Sequence, residues 1–184
     1  MWIRVKRLLL LGVLLLGVIA AGNPAQRAVD EASIVVAYLY NFGKFIDWPA
    51  EAFTAPDAPM RFCFYGEDTL GALTDTLGGK RVSGHPMEVY QIRRGGSLLD
   101  CHLLYIDTSE RLYVRPLLSL TREAPILTVS EIDGFAAAGG IVGLVYSENK
   151  LKFAINTAAA AQARLRISSQ LLRLAVDVVG ELPP

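Results

Sequence analysis

The chain opens on an apolar run, Leu8 to Ile19, which follows the basic residues Arg4, Lys6 and Arg7 and precedes the small residues Ala20, Ala21 and Gly22. A cationic start, an apolar stretch of about 7–15 residues and small residues before the cut are the layout of a secretory signal peptide. A membrane span needs about 20 apolar residues. Residues 1–22 are therefore read as a cleaved signal peptide, with an uncleaved N-terminal anchor as the alternative. Residues 23–30 read as a loose linker and 31–180 as one domain.

From Glu31 the apolar positions Val35, Tyr38, Leu39, Phe42, Phe45 and Ile46 recur three and four apart, a helical spacing that ends at Pro49. Arg61 to Tyr65 is a short aromatic strand broken at Gly66. Asp68 or Thr69 can cap a helix carrying Leu70, Leu73 and Leu77 and closed by Gly78-Gly79. Val82 and Met87 to Ile92 flank the turn Ser83-Gly84, which predicts a small hairpin. Leu103 to Asp107 is nearly all apolar, as in a strand buried on both faces. Arg111 to Leu120 reads as an amphipathic helix with Leu112, Leu117, Leu118 and Leu120 inward, followed by a strand at Pro125 to Val129. Gly139 to Tyr146 and Leu151 to Ile155 form an antiparallel hairpin about Ser147, Glu148 and Asn149. Asn156 or Thr157 caps a last helical region, in which Arg164 to Ala175 turns leucines inward and arginines outward. This alternation predicts an α/β three-layer sandwich: a mixed, mostly parallel sheet ending in an antiparallel hairpin, with helices on both faces.

Charge sharpens the picture. Lys plus Arg and Asp plus Glu each number 18, but the leader holds three of the bases and none of the acids, so the exported chain is net acidic. With no basic run, nucleic acid is not an expected partner. A place outside the cytoplasm excludes ATP-driven and most nicotinamide chemistry. Cys63 and Cys101 are the 2 cysteines, and an oxidising compartment favours joining them. Closing that loop would stabilise the fold by about 4 kcal/mol. The alternatives are two buried thiols, or a metal site recruiting His85 and His102, whose spacing matches no zinc template.

Motifs for catalysis are absent from the sequence. Gly66 to Gly71 lacks the G-x-G-x-x-G spacing and the lysine of a phosphate loop. There is no G-x-S-x-G elbow, and Ser130 beside Glu131 has no histidine with an evident route to it. No catalytic residue, metal or cofactor is assigned. Open α/β sheets bind ligands beyond the carboxyl ends of their strands, which would make Tyr65, Asp107 and Ser130 the lining of a ligand crevice. Trp48, with Pro49 and Phe53 near it, either packs the end of the first helix or forms a partner-binding patch. Trp48, Arg166 and Arg173 are the residues expected to meet a partner.

Several segments, in order, resemble the YfiR family of bacterial periplasmic proteins: Tyr38 to Pro49, Phe62 to Asp68, Leu127 to Glu131 with Gly134-Phe135, Gly139 to Asn149, Phe153 to Asn156, and Arg166 to Leu172. The resemblance spans roughly Ala32 to Ala175. It implies a regulator rather than an enzyme, one that binds the periplasmic domain of a membrane diguanylate cyclase, holds it inactive and so lowers cyclic-di-GMP signalling and biofilm output. It also implies an outer-membrane lipoprotein that sequesters the repressor, and a homodimer. Cys63 and Cys101 look like one family disulfide pair; a second, closely spaced pair known in the family is missing from this sequence. The alternative function is a periplasmic small-molecule sensor module feeding a membrane kinase or a transport system.

Overall fold

The computed structural model describes residues 24–67, 70–148 and 150–180. The signal-peptide reading of residues 1–22, the cap reading of Asp68 and Thr69, and Asn149 of the expected hairpin turn lie outside them. The chain divides into two compact units, Met1–Glu31 and Ala32–Pro184, and the side-chain contacts below belong to the second.

The first helix, α1 (Pro24–Lys44), starts earlier than the apolar spacing indicates. Residues 24–30, read as linker, are helical. Pro24 suits a first helical position, because its fixed φ matches the helix and its missing N–H would find no partner there anyway. Then come β1 (Ile46–Asp47), β2 (Met60–Tyr65), β3 (Arg81–Val82), β4 (His85–Ile92), β5 (Leu103–Ile106), α2 (Val114–Thr121), β6 (Leu127–Ser130), β7 (Val142–Ser147), β8 (Lys150–Asn156), α3 (Thr157–Gln162), β9 (Arg166–Ile167), α4 (Ser169–Leu172) and β10 (Asp177–Val179).

Eight of the described strands form one sheet in the order β10-β8-β7-β6-β5-β2-β4-β3. Strands β4, β2, β5, β6 and β7 run parallel, β8 returns antiparallel to β7, and β10 lies parallel to β8. Because side chains alternate across a strand, Phe62 and Phe64 of β2 face α1 while Cys63 and Tyr65 face α2. On the first face Val35, Leu39 and Phe42 of α1 pack on Phe62, Leu103, Leu127, Val129 and Phe153. On the second, Val114, Leu117 and Leu118 pack on Leu104, Ile106 and Ile126. Helices on both faces of a mixed sheet are the three-layer sandwich expected. Each fully buried Leu or Phe in it contributes about 1.5–3 kcal/mol.

Four local expectations fail. The helix expected at Arg111 to Leu120 is a 3-10 turn, Thr108–Tyr113, leading into α2. The buried stripe is Val114, Leu117, Leu118 and Thr121, at three- and four-residue spacing, so Leu112 and Leu120 are 87% and 67% exposed. Gly71–Leu77 is a 3-10 segment rather than an α-helix; Thr74 and Thr76 bond back to the carbonyls of Gly71 and Leu73 and compete with the helical ladder. The C-terminal helix is interrupted: α3 stops at Gln162, Arg164 takes φ +57°, and β9 follows. Finally, β10 supplies an edge strand where the sequence pattern announced none.

Candidate functional site

The two ends of the parallel sheet differ in what they leave open. At the carboxyl end the chain leaves β2 toward β4 and leaves β5 toward β6, in opposite directions along the sheet, which is where an open α/β sheet holds its ligand. Here chain fills the place. A Cβ at Gly66 (φ +112°) would lie 2.9 Å from both Asp107 Cβ and Ser109 Oγ, so only glycine lets the 3-10 turn Thr108–Tyr113 sit against it. Asp107 caps that turn by accepting from Ser109 N at 2.8 Å, and Glu67 N donates to Ser109 Oγ. Buried Glu110 accepts two hydrogen bonds from the Arg94 guanidinium, at 2.9 and 3.3 Å. Tyr65, Asp107 and Ser130 are 5%, 3% and 0% exposed. Ser130 Oγ donates to Ile106 O and accepts from Ile132 N. The three residues expected to line a crevice are thus core and turn residues, and their side chains do not meet solvent. On the opposite face, Tyr105 donates to Glu131 at 2.6 Å; burial, and then the Glu131 charge, hold its hydroxyl protonated far above the usual phenol range.

The amino end is built from side chains that the sheet order collects. Strands β4 and β5 flank β2, so His85 at the head of β4 and His102 just before β5 come together across it. Phe53 is stacked between them, its ring centroid 3.8 Å from His85 and 4.4 Å from His102. The two histidines that a metal site would recruit form an aromatic sandwich with Phe53. His102 Nδ1 accepts from Arg61 N at 3.0 Å, so its proton sits on Nε2, which faces Ala52 O at 2.9 Å. Burial lowers the His102 pKa, partly offset by the Ala52 bond and reinforced by Arg61 and His85. The imidazole thereby pins the Pro49–Pro59 connection to the sheet.

Trp48 enters that connection partly buried against the α1-side core, and its indole N–H donates to His102 O at 3.3 Å. One edge of the ring therefore packs as a helix-end residue. The β1–β9 pairing sets Asp47 opposite Arg166 and closes with Ser168 N donating to Phe45 O. Arg166, far away in sequence, thus stands opposite Asp47, the residue before Trp48; Arg166 is exposed and Trp48 half-buried. A guanidinium nitrogen of Arg164 lies 3.9 Å from Glu51. Arg173 is exposed beyond α4.

Cys63 and Cys101 are joined by a disulfide with a Cα–Cα separation of 5.8 Å, tying β2 to the residue pair that leads into β5. The family model described as YfiR/HmsC-like matches residues 32–176, nearly the whole sandwich. The chain belongs to the YfiR/HmsC-like family. That family is one of periplasmic regulators rather than catalysts. No curated protein matches the sequence. Among the described residues of this YfiR/HmsC-like domain, no helix is long and apolar enough to cross a membrane. Sequence reading singled out Trp48 and Arg166 but missed Phe53 as the centre of the amino-end cluster. The available signal was an aromatic residue inside a loop otherwise rich in proline and alanine, a place where an exposed phenyl ring needs a partner.

Proposed function

We propose that this protein is a periplasmic repressor that binds the periplasmic domain of an inner-membrane diguanylate cyclase and keeps it inactive, so lowering cyclic-di-GMP. The single observation that carries this reading is the YfiR/HmsC-like match over residues 32–176. On this reading residues 1–22 are the export signal, residues 31–180 form the regulatory domain, and the protein acts without catalysis or cofactor. Trp48, Arg166 and Arg173 are its contact residues. Tryptophan and arginine are the residue types that most often anchor an interface, and Arg166 and Arg173 are exposed while Trp48 is half-buried. An outer-membrane lipoprotein that captures the repressor, and a homodimer, complete the proposed set of partners.

The test pairs the purified chain with the periplasmic domain of a membrane diguanylate cyclase encoded beside it, and measures cyclic-di-GMP in cells lacking the chain. The expected result is a stable complex, raised cyclic-di-GMP on deletion, and binding weakened about tenfold or more by Trp48→Ala with Arg166→Ala. No complex together with unchanged cyclic-di-GMP would overturn the reading. Unchanged binding by the double variant would remove Trp48 and Arg166 from it.

A further inference from the structure

At the amino end, on the α2 face, a trough runs between α2 and α3. Arg115, Leu118 and Ser119 line it from α2 and Arg122 from the cap that ends that helix, at three- and four-residue spacing along one side. Ala158 and Ala159 line it from α3, and Gly139 is on the lining, where a Cβ would meet nothing within 4 Å. The space is about 460 Å³, within the range of small-molecule sites. An extension between Arg122 and Arg164 continues it outward.

Its charge is one-sided. Among the described residues neither Arg115 nor Arg122 has an ion pair. Glu123 is the one carboxylate on the lining; Arg164 bonds its backbone carbonyl, and that guanidinium also lies near Glu51. Two guanidinium groups without an ion pair offer a planar set of donors to an oxyanion, and Leu118, Ala158 and Ala159 on the same lining offer apolar contact to whatever carries it, beside the polar Ser119, Asn156 and Gln162.

We propose that this trough is a binding site for a small amphipathic anion, an apolar or aromatic body bearing a carboxylate, sulfonate or phosphate, with Arg115 and Arg122 as its charge partners. The site stands apart from the filled carboxyl end and does not depend on the partner assignment. Its size and concavity favour a small molecule over a protein segment, and the net acidic domain around it does not favour nucleic acid.

The test uses the purified chain without its leader and two fluorescent probes of similar shape. One is the anionic anilinonaphthalene sulfonate and the other the uncharged phenylnaphthylamine. The sulfonate probe is expected to bind at one site, to bind more tightly than the neutral probe, and to be displaced by benzoate or phenyl phosphate, whichever anion the arginines prefer. Arg115→Gln with Arg122→Gln should weaken the sulfonate probe about tenfold or more and leave the neutral probe unchanged. Ala158→Phe, on an exposed helical position, should fill the trough and remove both probes while the thermal midpoint stays at the wild-type value. Equal binding of the two probes, or sulfonate binding that survives both sets of substitutions, would overturn the proposal. So would loss of cyclase-domain binding by the arginine double variant with sulfonate binding intact, because the trough would then be a protein surface.

Discussion

The carboxyl and amino ends of the sheet use the same strands for opposite purposes. At the carboxyl end Gly66, Asp107, Ser109 and Glu110 fit together so closely that a missing Cβ is a structural requirement. At the amino end a proline-rich connection is held by ring stacking and by the imidazoles of His102 and His85, which meet the carbonyls of Ala52 and Ala58, and the α2–α3 trough stays open to solvent. The rule that open α/β sheets bind beyond their carboxyl ends describes where the connections part, not whether the space between them stays empty. Here a turn occupies it, and concave, polar, unpartnered surface is displaced to the other end.

The comparison is broken most strongly by cutting the covalent tie. Cys63→Ser with Cys101→Ser is expected to cost about 4 kcal/mol in chemical denaturation, because a loop with a sequence separation of 38 regains its freedom in the unfolded chain. A loss near zero would mean the bridge contributes nothing beyond two buried side chains.

Next comes Gly66→Ala, aimed at the carboxyl end alone. Its positive φ and the 2.9 Å contacts predict a loss of about 2–3 kcal/mol. Binding of an anionic probe at the trough should be unchanged at temperatures where the variant stays folded. If binding falls with stability, the two ends are coupled and the contrast between them is too sharp.

The amino end carries the pH dependence. His102 has a folded pKa below its unfolded value of 6.5, through burial first. The unfolded chain therefore takes up a proton before the folded chain does, and stability present above pH 6.5 is lost as pH falls below it. Protonated Nδ1 can no longer accept from Arg61 N, and Arg61, with His85 beside it, opposes the new charge. Glu88 and Asp100, within 4 Å of Arg61, moderate it. Thermal midpoints measured from about pH 7.5 to about pH 5.5 should fall in the wild type and fall less in His102→Gln. Parallel curves for the two proteins would remove His102 from this role.

The smallest effect tests the helix register. Leu112→Ser is expected to change stability by less than about 0.5 kcal/mol, since Leu112 is 87% exposed. Leu117→Ala on the same segment should cost about 2–3 kcal/mol. Equal losses would restore the helical phase that the sequence pattern predicted.

Those contrasts also show what could be read in advance. The apolar runs of β2, β5 and β6 were legible because a strand covered on both faces must be apolar throughout. Ser83-Gly84 was legible as a turn, and both residues do take positive φ, at +50° and +91°. Asn156 was one of the two expected caps, and its side chain accepts from Ala159 N. The segment Arg164 to Ala175 misled because isoleucine and leucine spacing over so few residues fits a helix as well as a strand, a turn and a short helix. Ser168, which caps α4 by accepting from Leu171 N, was the local hint that the helix restarts there. The site was less legible. Arg166 comes opposite Asp47, beside Trp48 in the chain, only through β1–β9. Tyr65, Asp107 and Ser130 stand at the strand ends as expected, and there they are buried.

By itself the sequence determined the layered α/β class, the mostly parallel sheet with its closing hairpin, and the family, because alternation, caps and turn residues act over a few neighbours. Tertiary structure alone decided which end of the sheet is open. That outcome depends on the order β4-β2-β5, which carries His85 and His102 to either side of Phe53, and on a turn packed against Gly66. Both are long-range contacts whose free energy appears only once the sheet has assembled.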